Sequence, residues 1–373
     1  MKICFISSGF PPSKGGVATF IYEWVWHTAD ALPNASITVL AFGNPHRRAY
    51  RLRDNVFVRT LRTRNPFVMG ALIGWYVFRS RWSWVHGMNL FPVGFWAVLW
   101  CRIARIPSMI TFYGTDACAP ARPIVERLKA WTIRTSSRAL TISTATKTRV
   151  ERKFHIPAGS IRVIYAGAPE AVARREQKGE ASNEDVRERL GIAPGACVVL
   201  SVAQLVKRKG LDMLIQAVAD IPDDEVFCII AGGGPDESSL RSRIQELGQE
   251  RRIFLAGKVP SVEPYYRAAD ICVLNSWEGG GDVEGLGLVL IEAQMRGIPV
   301  IGSASGGIPE TFHNGVSGML VPEKDTDALR EAISTLSRDP SLRRKMGEEG
   351  KRFVAKRFSW KKAMEEYIPK SGI

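Results

Sequence analysis

Short runs of β-branched and apolar residues alternate along this chain with stretches of helical periodicity, and that alternation restricts the possible folds more than any other feature. KICFISS from Lys2 is followed by the loop GFPPSKGG and a helical pattern from Val17 through Trp26. ITVLAF from Ile37, NVFVRT from Asn55, WVHG from Trp84, PSMITFYG from Pro107, RALTIS from Arg138 and IRVIYAG from Ile161 read as further buried strands, with helical stretches between most of them. The pattern lapses from Pro169 to Gly195, which is charged, punctuated by Gly and Pro, and read in its first part as a linker. It resumes with CVVLSVAQ from Cys197, VFCIIAGGG from Val226, IFLAGKV from Ile253, ICVLNS from Ile271, PVIGSA from Pro299 and GMLV from Gly318. Strands this short and apolar, spaced by helices, belong to parallel sheets covered on both faces.

A chain of 373 residues has room for two such domains, each with its own core. The expected fold class is α/β: two doubly wound, Rossmann-like domains, one over residues 1–170 and one over 171–358, their parallel sheets facing across a cleft. The helical, basic tail at about 359–373 is expected to pack back onto the first domain. Open parallel sheets take ligands at the carboxyl ends of their strands, so function is sought in the strand-end loops.

Charge divides the chain as the strands do. Residues 1–170 hold 23 Lys and Arg against 7 Asp and Glu, whereas the remainder holds 28 against 30, so the net charge of +14 arises entirely in the first half. Eight of the ten Trp lie there too, at positions 24, 26, 75, 82, 84, 96, 100 and 131. A basic, Trp-rich half calls for an anionic partner. Between Arg62 and Trp82, an apolar centre is flanked by Arg62, Arg64, Arg79 and Arg81, a pattern suited to a helix lying in an anionic membrane interface. The aromatic stripe Trp75, Tyr76, Phe78, Trp82 and Trp84 is read as core. The longest apolar stretches fall short of the ~18–20 residues that span a bilayer, and MKICFISS lacks the apolar core of a signal peptide. The expected location is cytoplasmic, at the inner face of the membrane. The six Cys show no C-x-x-C spacing and read as small buried hydrophobes rather than as metal or redox groups.

The segment EGGGDVEGLGLVLIEAQMRGIPVIGSASGGIPE, from Glu278 to Glu310, carries the strongest chemical signal. Seven residues separate Glu284 from Glu292, and Gly285 and Gly287 lie just after the first of these acids. Glycines at the start of a helix let backbone amides approach an anion without interference from a Cβ, and the helix dipole favours negative charge there; a pyrophosphate suits the position. With a helix beginning near Gly287, Glu284 falls on the preceding loop and Glu292 just over a turn into the helix. Carboxylates accept in pairs from sugar and ribose hydroxyls.

EGLGLVLIEA from Glu284, followed by GIPVI and GGIPE, resembles the signature of the family-4 retaining glycosyltransferases of GT-B fold. VHGMNLFPVG from Val85, TFYGTDA from Thr111, ISTATKTRV from Ile142, VIYAGAPE from Val163, SVAQLVKRKGLDMLIQAV from Ser201, AGGGP from Ala231 and YYRAADICVLNSWEGG from Tyr265 occur in that family's order, so the resemblance covers nearly the whole chain. It implies transfer of a hexosyl unit from a nucleotide-diphosphate sugar to an acceptor hydroxyl, with retention and without a metal or other cofactor. The acceptor implied is a lipid-linked or cell-surface glycan precursor. By motif position, Glu284 meets the donor sugar's hydroxyls and Glu292 the ribose. The amides of Gly285, Leu286, Gly287 and Leu288 meet the sugar and phosphates, Lys209 the diphosphate, and the Gly15-Gly16 loop helps bind the phosphates. Asp116 is retained in its strand-end motif, and the catalytic set expected is Glu284, Lys209 and Asp116.

The sequence also departs from that pattern. Gln204 stands where most relatives carry an Arg partner to the Lys, leaving Lys207 or Arg208 to supply a second cation, or the leaving group less well stabilised. Tyr113 replaces a His, Ala166 an Asn, and Gly233 an acidic residue. His86, alone at a strand end, reads as a hydrogen-bonded structural group. GFPPSKGG lacks the G-x-G-x-x-G of a dinucleotide oxidoreductase, and no recognition motif supports a nucleic-acid partner despite the charge. A donor-binding subunit without its own turnover is the alternative that Gln204 keeps open.

Overall fold

A computed structural model describes residues 1–11, 16–43, 49–168, 185–222 and 225–369. The chain divides into two compact units, the first comprising Met1–Pro169, Gly280–Gly285 and Ser359–Ile373, and the second Glu170–Gly279 and Leu286–Phe358.

The first unit holds an eight-stranded sheet of β1 (Lys2–Ser7), β2 (Ser36–Phe42), β3 (Ala49–Arg53), β4 (Val56–Leu61), β5 (Trp84–Gly87), β6 (Ser108–Phe112), β7 (Arg138–Thr141) and β8 (Ile161–Val163), in the order β3-β4-β2-β1-β5-β6-β7-β8. All neighbours run parallel except β3, which is antiparallel to β4. The pattern reading missed β3. AYRLR has no continuous apolar run, because an edge strand closing a hairpin need not be buried on both faces.

The second unit holds six parallel strands, β9 (Cys197–Val202), β10 (Val226–Ala231), β11 (Ile253–Gly257), β12 (Ile271–Leu274), β13 (Val300–Ser303) and β14 (Gly318–Val321), in the order β11-β10-β9-β12-β13-β14. Successive side chains of a strand point to opposite faces, and here both faces are covered. Cys197, Val199, Cys228 and Ile230 enter one buried cluster, while Val198, Leu200, Ile229 and Ala231 enter the other. Each Val, Leu or Ile among them contributes roughly 1.5–3 kcal/mol on leaving water, which accounts for the unbroken apolar runs.

Both strand orders reverse direction once. In the second unit the chain runs outward through β9, β10 and β11, then returns to β12 beside β9. In the first, the reversal lies between β1 and β5. The carboxyl ends of these pairs are the topological switch points at which open α/β sheets take ligands.

The C-terminal helix Trp360–Tyr367 belongs to the first unit and is held by aromatic packing. Trp360 stacks on His27 at 4.5 Å and meets Trp24 edge-on at 6.1 Å, and its indole nitrogen donates to the carbonyl of Ala168 (2.9 Å). All six cysteines are buried free thiols, in keeping with their reading as small buried hydrophobes.

Candidate functional site

In the second unit the residues following β9 and those following β12 are locked together. Lys207–Lys209 forms one 3₁₀ turn that ends at Gly210, whose φ of 60° is left-handed. A Cβ on Gly210 would collide with the carbonyl oxygen of Asn275, the first residue after β12, so the close approach needs glycine for space as well as for its dihedral. The turn is held from the β12 side: Trp277 donates its backbone amide to the carbonyl of Arg208 (2.8 Å) and its indole nitrogen to that of Lys207 (3.1 Å). Lys324 lies 4.1 Å from the Trp277 ring centre, a cation–π contact that fixes the indole. Three basic side chains are thereby presented at the switch point, Lys207 exposed, Arg208 and Lys209 half-buried, with exposed Gln204 just upstream. The AGGGP loop after β10 lies alongside. Leu205 donates to the carbonyl of Gly233 (3.1 Å), and side chains on Gly232 or Gly234 would run into the carbonyls of Ala203 and Leu205.

The helix expected near Gly287 spans Leu288–Met295. Gly287 is its N-cap, with φ 89°, and a Cβ there would stand 3.0 Å from Leu274, the last residue of β12. The dihedral calls for glycine, and the start of the helix lies close against the carboxyl end of the central strand pair. The amides of Leu288 and Val289 precede the regular ladder of helical hydrogen bonds, so the positive end of the helix lies at the switch point. Glu292 sits just over a turn further on, half-buried, its Oε2 accepting from the Tyr266 hydroxyl (2.8 Å).

Glu284 and Gly285 lie on the loop Gly280–Gly285, which belongs to the first unit. Its anchor is Val283, 2% exposed and part of a cluster with Leu90, Phe112, Ala117 and Cys118. Thr115 Oγ1 donates to Asp282 (2.5 Å), and a Cβ on Gly114 would meet the Val283 carbonyl at 2.7 Å and Gly285 Cα at 3.2 Å. The TFYGTDA motif therefore serves as the seat of the Glu284 loop.

Asp116 of that motif is turned inward. Its two oxygens accept from the amide of Tyr113 (2.6 Å), the N-cap of the short helix Gly114–Cys118, and from that of Leu90 (3.0 Å), and burial, partly offset by these amides, raises its pKa to about 6. Tyr113 is core: 5% exposed and edge-on to Phe20 at 5.4 Å. His86 is fully buried between the hydroxyls of Tyr367 and Thr111, each 2.8 Å away, and burial lowers its pKa to about 3. It is a structural histidine, as its isolation in the sequence indicated.

Gly15 lies outside the described residues; Gly16 is the first residue of the helix Gly16–Ala31. Ser8, directly after β1, is fastened across the switch point of the first unit by Asn89, whose Oδ1 accepts from the Ser8 amide and hydroxyl, both at 2.9 Å. Asn89 lies in the motif VHGMNLFPVG, where it carried no assigned task; its place two residues after β5, opposite the end of β1, was the available signal.

The aromatic stripe is not uniformly core. Trp84 is buried, but Trp75 and Phe78 are 48% and 55% exposed, and Phe67 75%. The cause is local. On the helix Pro66–Arg79, Gly70 and Gly74 admit Trp96 and Trp100 of the neighbouring helix Phe95–Ala104, and the Trp100 indole donates to the Gly70 carbonyl (2.8 Å). With that face filled, Phe67, Trp75 and Phe78 point outward, and Arg79 lies over Trp75 at 4.6 Å. No helix among the described residues is long and apolar enough to cross a membrane.

Residues 182–353 match the family described as "Glycosyl transferases group 1", and residues 14–171 that described as "Glycosyltransferase Family 4". The GDP-mannose-dependent alpha-(1-6)-phosphatidylinositol monomannoside mannosyltransferase of Mycobacterium tuberculosis H37Rv is 31% identical over 96% of this chain and 95% of its own. Its counterpart from Mycolicibacterium smegmatis is 33% identical over 56% of this chain, a match that spans 53% of that relative's length. Among solved structures, Anabaena Alr3699/HepE in complex with UDP and glucose superposes with a TM-score of 0.78 at 20% identity, each chain covered to 98%. Sucrose-phosphate synthase from Thermosynechococcus elongatus follows at 0.75 and 21%, with 98% and 97% covered. At those identities the likeness is one of fold.

Proposed function

This chain belongs to the family-4 glycosyltransferases, retaining enzymes of GT-B fold, and from that membership we propose that it transfers a mannosyl unit from GDP-mannose to a hydroxyl of a lipid-linked glycan acceptor. The donor and acceptor classes follow the names of relatives matched along the whole chain. The observation that carries the site assignment is the interlocked switch point of the second unit, where the Lys207–Lys209 turn, the Trp277 clamp and the glycine-started helix Leu288–Met295 meet.

In this reading Lys209 and the first-turn amides of that helix take the diphosphate. As the glycosidic bond lengthens, negative charge grows on the leaving diphosphate while the sugar ring becomes oxocarbenium-like, and fixed positive groups lower that barrier without reorganising. Glu284 holds the donor sugar's hydroxyls and Glu292 the ribose. Asp116 acts at one remove, capping the helix on which the Glu284 loop rests. No side chain is assigned as a covalent nucleophile; transfer proceeds on one face of the sugar through a short-lived ion pair. Gly16 is assigned a part in phosphate binding.

A thermal-shift screen of GDP-mannose, GDP-glucose, UDP-glucose and ADP-glucose tests the donor. Ligand at a hundredfold excess over Kd stabilises by about 2.7 kcal/mol, so GDP-mannose is expected to stand apart. Stabilisation by UDP- or ADP-glucose alone overturns the choice of nucleotide, and a response to none overturns the site.

For the acceptor side we read the exposed aromatics of the helix Pro66–Arg79, with Arg79 and Arg81, as contact with the anionic inner face of the cytoplasmic membrane. Phe67, Trp75 and Phe78 share one face by helical spacing, and each basic residue near an anionic leaflet contributes ~1 kcal/mol. Co-sedimentation with phosphatidylglycerol vesicles at low salt, reduced in an Arg79→Glu/Arg81→Glu double variant, is expected. Absence of binding at low salt rejects this reading.

A further inference from the structure

We propose that Tyr266 is a positioning residue for the reaction: its hydroxyl, backed by the Glu263–Arg296 pair, holds the Glu292 carboxylate in the one orientation that accepts a nucleotide ribose. The inference rests on the assignment of Glu292 to the ribose and adds three residues to which no role was assigned by motif position.

The geometry lies wholly within the second unit. Tyr266, on the short helix Glu263–Ala268 that leads into β12, is 1% exposed. Its hydroxyl donates to Glu292 Oε2 at 2.8 Å and lies 3.3 Å from the Val289 carbonyl one turn earlier on the Glu292 helix. Burial, with the Glu292 charge beside it, pushes the phenol well above its ordinary range. It therefore stays protonated at every pH the enzyme meets and remains a donor to the carboxylate.

Behind the ring stands Arg296, 4.7 Å from its centre. Arg296 caps the Glu292 helix: its Nη1 donates to the carbonyl of Glu292 itself (2.7 Å), one of the last four carbonyls, which have no helical partner. Glu263 fixes that guanidinium as a fork, accepting from Nε on both carboxylate oxygens (3.1 and 2.9 Å) and from Nη2. Backbone and side chain of Glu292 are thus each held by a different member of one network. A carboxylate on an exposed helix face samples several rotamers. One held by a buried phenol offers a fixed pair of lone pairs, which is what a ribose diol requires.

Binding is measured by calorimetry with GDP, UDP and ADP, and then with the 2′,3′-dideoxy form of whichever binds most tightly, for the wild type and for Tyr266→Phe. The wild type is expected to prefer the ribose form. In Tyr266→Phe that preference falls by roughly tenfold, the order expected for one hydrogen bond to a charged group, while affinity for the dideoxy form is unchanged. In steady state KM for the sugar nucleotide rises and kcat stays within about twofold, a split that a general loss of structure does not produce. Arg296→Lys, which keeps the charge and loses the fork, shifts the ribose preference in the same direction by a smaller factor; it serves as the measurement if Tyr266→Phe does not fold. A wild type indifferent to the ribose hydroxyls, or one that binds none of the three nucleotides, refutes the assignment of Glu292 to the ribose. Clear discrimination in the wild type that survives intact in the folded variants leaves that assignment standing and refutes the role of Tyr266.

Discussion

Replacing Gly114 by alanine tests how the Glu284 loop is seated. The new methyl carbon would stand 2.7 Å from the carbonyl oxygen of Val283 and 3.2 Å from Gly285 Cα, both main-chain atoms that no rotamer change can move aside. Non-bonded heavy atoms settle at about 3.5 Å, so one backbone must give by roughly 0.5–1 Å. The cost can fall in either of two places. If the loop resists, overpacking destabilises the first unit by about 1–3 kcal/mol, which for a unit of this size lowers Tm by roughly 2–4 °C per kcal/mol. If the loop yields, Glu284 is carried off its position, and a displacement near 1 Å costs up to about a hundredfold in kcat/KM. Thermal unfolding and steady-state transfer, measured together, separate the two. Gly9→Ala, whose added methyl meets nothing within 4 Å, is the steric control and should leave Tm within about 1 °C. A Gly114→Ala enzyme with wild-type Tm and wild-type turnover would refute the idea that this glycine is the seat of the loop.

Glu284→Gln and Lys209→Ala are each expected to lower turnover by about two to three orders of magnitude with Tm nearly unchanged; near-normal rates in both remove the site assignment. His86, neutral down to about pH 3 in the fold against 6.5 when unfolded, favours the folded state above pH 6.5, and that contribution is lost as pH falls through this interval; an imidazole titrating near 6 by NMR contradicts the buried placement. Asp116 has the opposite sign, its folded pKa of about 6 lying above the ordinary 3.8, so its contribution is present below pH 3.8 and disappears as pH rises through 6. The stability difference between wild type and Asp116→Asn should accordingly move against the wild type from pH 4 to pH 7, and parallel pH profiles would count against it.

Local regularities already carried most of the fold. A run such as CVVLSV has one solution, a strand buried on both faces, because each of its alternate side chains must find a separate core, and it did so in two clusters. The helix start at Gly287 was legible for a similar reason, since a glycine-rich stretch before an apolar helical run leaves few other places to begin. β3 was not legible, since an edge strand is stabilised by a partner's hydrogen bonds rather than by its own composition. Nor was the outward turn of Trp75 and Phe78. Aromatic content marks a side chain that gains by burial, but which face of a helix is buried depends on what packs against it, and here Gly70 and Gly74 had already admitted two tryptophans.

The same division holds for the chemistry. Residue type and spacing nominated Glu284, Lys209 and Glu292, because amides, ammonium groups and carboxylates have intrinsic affinities that survive any fold. That Asp116 reaches the Leu90 amide, that Trp277 clamps the Lys207–Lys209 turn and that Tyr266 holds Glu292 depend on contacts between residues 26 to 70 positions apart. Such contacts exist only once the strands have taken their order in the sheet, since no local propensity encodes the distance between two loops at the end of a folded layer.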